Sequence, residues 1–177
     1  MHATALFRPL SFARLATALG AAVLLGGCNM SDEAEELSGG YHYRNEGLDR
    51  KELLSGWEGM PSIHGKVVRY SFNKDFIVAA QRPVYDEYRS GLGSDLRHQL
   101  REYSANLDAD IRDSERVADS LLTHDPYYQS LFVHKTNYWI IAHRARRVYG
   151  PLTYPEYVQQ AHALQVPDRL ALDAEPE

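Results

Sequence analysis

The sequence predicts an α+β domain: an antiparallel sheet built from two hairpins plus an N-terminal strand, with a helical block between the hairpins and a C-terminal helix. Three observations predict it. Residues 67–81 and 138–149 each hold two β-rich runs about a polar turn. Residues 88–123 carry apolar side chains at helical spacing. Strands grouped on either side of a helical block, rather than alternating with helices, favour antiparallel pairing. With 177 residues, 44% of them hydrophobic, one domain can bury its own core, and the single cysteine admits no internal disulfide.

The domain is expected to span residues 41–167. Tyr41-His42-Tyr43-Arg44 places aromatics at alternate positions, the pattern of a half-buried first strand, and Asn45-Glu46-Gly47 turns it. Val67–Phe72 and Phe76–Gln81 flank Asn73-Lys74-Asp75, which makes the first hairpin, and Pro83 ends its second strand for want of an amide hydrogen. Tyr88, Leu92, Leu96, Leu100, Tyr103, Leu107 and Ile111 recur every three or four residues, one face of a long helix. Gly91 and Gly93 weaken its first turns by up to about 1 kcal/mol each relative to alanine, so Ser94 is the expected N-cap. A second helical stretch covers about residues 114–123. Asp125 and Pro126 then cap and open a short helix over 126–133.

Tyr138–Ala142 is continuously apolar, as a central strand covered on both faces should be. It turns through Arg144-Ala145-Arg146-Arg147 into Val148-Tyr149, and Gly150-Pro151 is expected to break the second hairpin. Thr153 with Glu156 three residues later is a capping-box pattern ahead of a last helix that Pro167 ends. Residues 168–177 read as a flexible acidic tail.

Ahead of the domain, residues 1–27 carry Arg8 and Arg14, no acidic residue, and an apolar run from Leu15 to Leu25 interrupted by Thr17. That is the layout of a signal peptide, too short and glycine-rich to span a bilayer. Leu25-Gly26-Gly27-Cys28 resembles the bacterial lipobox. The resemblance implies a diacylglycerol on the Cys28 thiol, cleavage before it, and further acylation such as palmitate. An anchor of several acyl chains, at about 0.8 kcal/mol per buried methylene, is lasting. Asn29 stands where an inner-membrane retention aspartate would, and by resemblance to Gram-negative lipoproteins this favours the outer membrane. Residues 28–40, with Asp32, Glu33, Glu35 and Glu36 and two closing glycines, read as a lipidated acidic tether without fixed structure. Of the 19 basic residues, 17 remain against 24 acidic ones once residues 1–27 are removed, a net charge of −7. Nucleic acid is a poor partner for such a surface, and the membrane is reached through the lipid.

The lipobox, "SGGYHY", "YSFNKDFIVAAQRP" and "NYWIIAHRARRVYGPLTYPEYVQQAHALQVP" together resemble an uncharacterised family of small bacterial lipoproteins, a domain of unknown function. In that family a Tyr-Trp-Ile-Ile strand precedes Val-Tyr-Gly-Pro-Leu and a terminal helix. The likeness covers about half of the chain beyond Cys28 and implies localisation and fold without bringing an activity.

No residue set with catalytic spacing is present. There is no G-x-S-x-G elbow or P-loop, and Gly91-Leu92-Gly93 lacks the remainder of a dinucleotide fingerprint. No histidine pair has metal-ligand spacing, which leaves only a convergence of His42, His64, His134 and His143 in space. Asp108, Asp110 and Asp113 with Glu115 miss the calcium-loop pattern, because Arg112 and Asp113 hold the fifth and sixth positions. No metal or other cofactor is expected. Arg144, Arg146 and Arg147 form a basic turn in an acidic chain, suited to an anion or an acidic partner patch through guanidinium contacts. The expected protein is a cell-envelope lipoprotein with a non-catalytic binding or accessory domain, possessing an envelope protein partner. An envelope hydrolase with dispersed catalytic residues and an inhibitor or immunity-type lipoprotein are the alternatives.

Overall fold

β1 (Glu33–Glu36), β2 (Tyr41–Asn45), β3 (Lys51–Ser55), β4 (Lys66–Phe72), β5 (Phe76–Arg82), β6 (Asn137–Ala142) and β7 (Arg147–Leu152) lie in sequence order in one sheet. Between β5 and β6 come helices α1 (Tyr85–Gln99), α2 (Asp108–His124) and α3 (Pro126–Ser130); α4 (Tyr154–Ala163) and a 3₁₀ turn (Asp168–Leu170) follow β7. These come from a computed structural model that describes residues 33–57, 59–99 and 107–175. The fold class is α+β, and neighbouring strands pair antiparallel except β3 and β4, which meet in parallel at Lys51 and Lys66. Among the described residues no helix is long and apolar enough to cross a membrane.

Period-2 alternation sends the central strands' side chains to two cores. Ile77 and Ala79 of β5 with Trp139 and Ile141 of β6 pack under Tyr88 and Leu92 of α1 and Ala118 and Leu122 of α2. Val78, Ala80, Tyr138 and Ile140 face the other way, against Tyr157 of α4, Leu170 and Leu172. Both faces are covered, so β6 is buried along its whole length. At each fully buried Leu or Ile the gain is about 1.5–3 kcal/mol.

Several expectations need correction. The acidic tether has structure from Glu33 onward: β1 pairs Glu33–Glu36 with Asn45–His42, and Leu37 packs against the core. As an edge strand it uses backbone hydrogen bonds and leaves Glu35 and Glu36 at the surface. Tyr41–Asn45 is thus the second strand, with Tyr41 and Tyr43 buried as their alternation requires. β3 was not anticipated; its sequence, KELLS, has only two apolar residues. The long helix of residues 88–111 is two helices, because Leu107 is extended at φ −90° and ψ 127°; Leu100 and Tyr103 lie outside the described residues. α1 begins at Tyr85 rather than at Ser94 and runs through both glycines. A Cβ on Gly91 would overlap the His64 ring, and one on Gly93 would press on Glu115 of α2, so both let α1 approach its neighbours closely. β7 continues through Gly150-Pro151, which forms a cis peptide opposite a register shift in β6.

The tail is not loose over its described part. Leu170 and Leu172 are buried, Tyr157 Oη accepts from Leu172 N at 3.1 Å, and the Glu175 carboxylate lies 2.8 Å from Arg69 and 3.6 Å from Arg82. Other expectations are met. Both hairpins form, Asp125 caps α3 through Tyr127 N at 2.8 Å, and Glu156 accepts from Thr153 N and Oγ1 at 2.8 and 2.7 Å.

The sheet curls. Tyr70 of β4 donates to Glu35 of β1, and its ring packs on Tyr43, although two strands separate β1 from β4. The β1–β2 turn is thereby carried to the end of the sheet where the β4–β5 and β6–β7 turns lie, and Ser38 donates to Asn73 O there.

Candidate functional site

At that end of the sheet three segments enclose a small cup. Its lining is Gly39 and Tyr41 from the first turn and strand, Trp57 and Met60 from the segment after β3, and His143 and Arg146 from the β6–β7 turn. The cup holds about 250 Å³. Ser38-Gly39-Gly40-Tyr41 closes with a Tyr41 N to Ser38 O bond of 3.3 Å, and both glycines have positive φ, +62° and +74°. Two consecutive positive φ values are the requirement of a type I′ hairpin turn. Contact imposes a second requirement: a Cβ on Gly39 would overlap the His143 imidazole and one on Gly40 the Trp57 indole. The glycine pair is the floor on which those two rings rest.

His143 Nε2 lies 2.8 Å from Ser38 Oγ. The Ser38 hydroxyl gives its proton to Asn73 O, so it can only accept from the ring, which places the imidazole proton on Nε2. Burial pulls the His143 pKa below the ordinary value, opposed by the Asp75 charge. Above this floor the Arg146 guanidinium stacks on the Trp57 indole, 4.5 Å from the ring centroid.

The predicted basic turn is present but does not act as one cluster. Arg144 pairs with Asp75 at 2.9 Å, Arg146 covers Trp57, and Arg147 lies 5.1 Å over the Tyr149 ring, which packs with the α4 core. Arg146 and Arg147 therefore leave on opposite faces of the sheet. Cys28 lies outside the described residues. His42, His64, His134 and His143 do not share a site, and among the described residues no group of three His, Cys, Asp or Glu side chains is arranged to hold a metal ion.

A second constellation was not anticipated. His64 is buried between two carboxylates, with Nδ1 2.8 Å from Glu52 Oε1 and Nε2 2.8 Å from Asp95 Oδ2. Glu52 is itself fully buried, and its other oxygen meets Arg44 Nη2 at 2.5 Å. Burial disfavours the imidazolium, but the hydrogen bonds and charges of Asp95 and Glu52 outweigh it and raise the His64 pKa to about 9. Burial likewise works against the Glu52 charge, and His64 and Arg44 together lower its pKa to about 2. Gln81 fixes this histidine from behind: its Nε2 donates to His64 O and to Tyr88 Oη, and its Oε1 accepts from Trp139 Nε1 at 3.0 Å. The charge chain bolts α1 to the sheet. With both ring nitrogens occupied and the proton retained near neutral pH, His64 has no lone pair to act as a base.

Its outer end, Asp95, opens on a cleft of about 210 Å³ shared with Tyr88, Tyr127 and Tyr128. Glu52, His64 and Asp95 are 12 and 31 residues apart in sequence, and no local spacing marks them. For the cup, the tandem glycines of "SGGYHY" were the available signal, since they mark a tight turn; the partner rings of that turn were not legible.

No protein-family model matches this chain, and neither a curated protein nor a solved structure is significantly similar to it.

Proposed function

We propose that this chain is a cell-envelope lipoprotein, held by acyl chains on Cys28 in the outer membrane of a Gram-negative bacterium, whose α+β domain is a non-catalytic binding or accessory module. One observation carries the binding reading. Arg146 is a non-glycine residue at φ 47°, a left-handed conformation that costs roughly 1–2 kcal/mol, and its exposed guanidinium is spread over a Trp57 indole that is 44% exposed. An arginine kept in a glycine-favouring position, stacked at the rim of an apolar cup, is the arrangement of a recognition residue. Its planar fork stays presented while stacking reduces the freedom lost on binding. The lipobox resemblance supports the anchor.

The test has two parts. Mass spectrometry of the protein from native membranes should show a Cys28 N-terminus bearing diacylglycerol and a further acyl chain, absent from Cys28→Ala; an unmodified Cys28 overturns the anchor. Affinity recovery from solubilised envelopes should yield a partner that Trp57→Ala loses; recovery indifferent to Trp57 overturns the cup as its site.

The Ser38–His143 contact favours a second reading, an envelope hydrolase using that pair. The 2.8 Å separation of His143 Nε2 and Ser38 Oγ is within the reach a serine and its base need. Against it, the serine proton points to Asn73 O, away from the base. Labelling of Ser38 by a fluorophosphonate, lost in His143→Ala, would establish the hydrolase; absence of labelling in the folded protein removes it.

A further inference from the structure

The chain carries more acid than base, 24 Asp and Glu against 19 Lys and Arg, and most of its described arginines find a carboxylate. Arg44, Arg50, Arg69, Arg82, Arg89, Arg116 and Arg144 each lie within 4.0 Å of one. Arg146 has none among the described residues and rests on an indole instead. Stacking uses the faces of the guanidinium and leaves its in-plane N–H edge for an oxyanion, which a carboxylate meets with two parallel hydrogen bonds.

Three features narrow the ligand. The neighbouring cations do not converge: Arg144 turns to pair with Asp75, and Arg147 lies on the opposite face over Tyr149. A polyanion needs converging cations; a single carboxylate needs one. Below the guanidinium the cup is lined mainly by apolar surface, from Tyr41, Met60 and the Trp57 indole beside Gly39 and the His143 ring, with the Tyr41 hydroxyl turned away to donate to Pro61 O. An apolar group attached to the carboxylate would therefore meet apolar surface. Finally, about 250 Å³ falls short of the roughly 300–1,000 Å³ of sites that enclose a whole small molecule. The cup takes the end of something longer.

We propose that the Trp57–Arg146 cup binds the C-terminal carboxylate of a peptide ending in an apolar residue, with Arg146 bidentate on the carboxylate and the last side chain against Met60 and Tyr41. This rests on the reading of the cup as a binding site and names what it binds.

The experiment uses the full chain in detergent. N-acetyl-Ala-Ala-Leu with a free carboxyl terminus, the same tripeptide as its amide, and free leucine are titrated by calorimetry and by tryptophan fluorescence. Trp139 is buried and Trp57 exposed, so Trp57→Phe identifies the responding indole. The expected result is saturable binding of the peptide acid, at least tenfold weaker binding of the amide, and a loss of at least tenfold for Arg146→Gln. Arg146→Lys should recover part of that loss, since it restores charge but not the fork. Equal affinity for acid and amide, or no binding of either, overturns the proposal. Free leucine binding as tightly as the tripeptide acid also overturns it, by assigning the site to a small amino acid. Envelope recovery that still depends on Trp57 after such a failure would leave the binding module standing with a different ligand class.

Discussion

Arg146 and Trp57 meet across the end of the sheet, the guanidinium 4.5 Å from the indole centroid, and Arg146 makes that contact with its φ at 47°. Backbone strain and side-chain contact are therefore opposed in one residue. Arg146→Gly removes a left-handed conformation worth roughly 1 kcal/mol and loses a cation–π contact worth roughly 0.5–1 kcal/mol at an exposed site. The expected outcome is a melting temperature within a few degrees of the parent together with loss of the bound partner. A partner retained by a stably folded Arg146→Gly protein would make the stack structural.

The buried charge chain predicts the pH profile of stability. The His64 pKa is raised from 6.5 to about 9, so its contribution is complete below pH 6.5 and is lost as pH rises through 9. The Glu52 pKa is lowered from 4.5 to about 2, so its contribution is complete above pH 4.5 and is lost as pH falls through 2. Between pH 4.5 and pH 6.5 the cluster's contribution is flat. Denaturant midpoints measured from pH 5 to pH 9 should decline on the alkaline side. His64→Gln should flatten that decline while costing about 3–5 kcal/mol, because it leaves Glu52 buried with one partner fewer.

Gly91→Ala separates helix propensity from packing. Alanine is favoured by about 1 kcal/mol inside a helix, but its Cβ would overlap the His64 ring. The expected result is a net destabilisation of about 1–3 kcal/mol by chemical denaturation, with the alkaline slope altered as His64 shifts. A stabilised Gly91→Ala protein would show that α1 does not press on His64.

Removal of residues 168–177 should destabilise the domain by about 4 kcal/mol. Leu170 and Leu172 contribute about 2 kcal/mol each through burial, and Arg69 and Arg82 lose Glu175. Unchanged midpoints on truncation would mean that the tail does not cover the α4 face.

What was legible in the sequence had local causes. The two hairpins announce themselves by β-rich runs about polar turns, Asp125 and Thr153 by capping chemistry, and β6 by an apolar run that only a doubly covered strand can carry. β1 was illegible because an edge strand is held by backbone bonds and its sequence, EAEE, carries no apolar alternation, which reads as a tether. β3 was missed because one of its buried residues is Glu52, a charge that belongs inside only when His64 and Arg44 are already there. The tail misled in the same way: Leu170 and Leu172 are too few to signal burial until α4 supplies Tyr157 as their partner. The basic turn was legible as charge, but its division between two faces is a property of the sheet, and Trp57 could not be matched to it before the sheet curled.

Recovery of the native lipidated protein from detergent-solubilised envelopes, beside Arg146→Gly and Trp57→Ala proteins of matched lipidation and melting temperature, puts the cup to the test. The parent protein should bring down one partner at near-stoichiometric yield, and both variants should lose it. The same partners recovered from all three proteins, or none from any, would contradict a binding module that works through the Trp57–Arg146 cup.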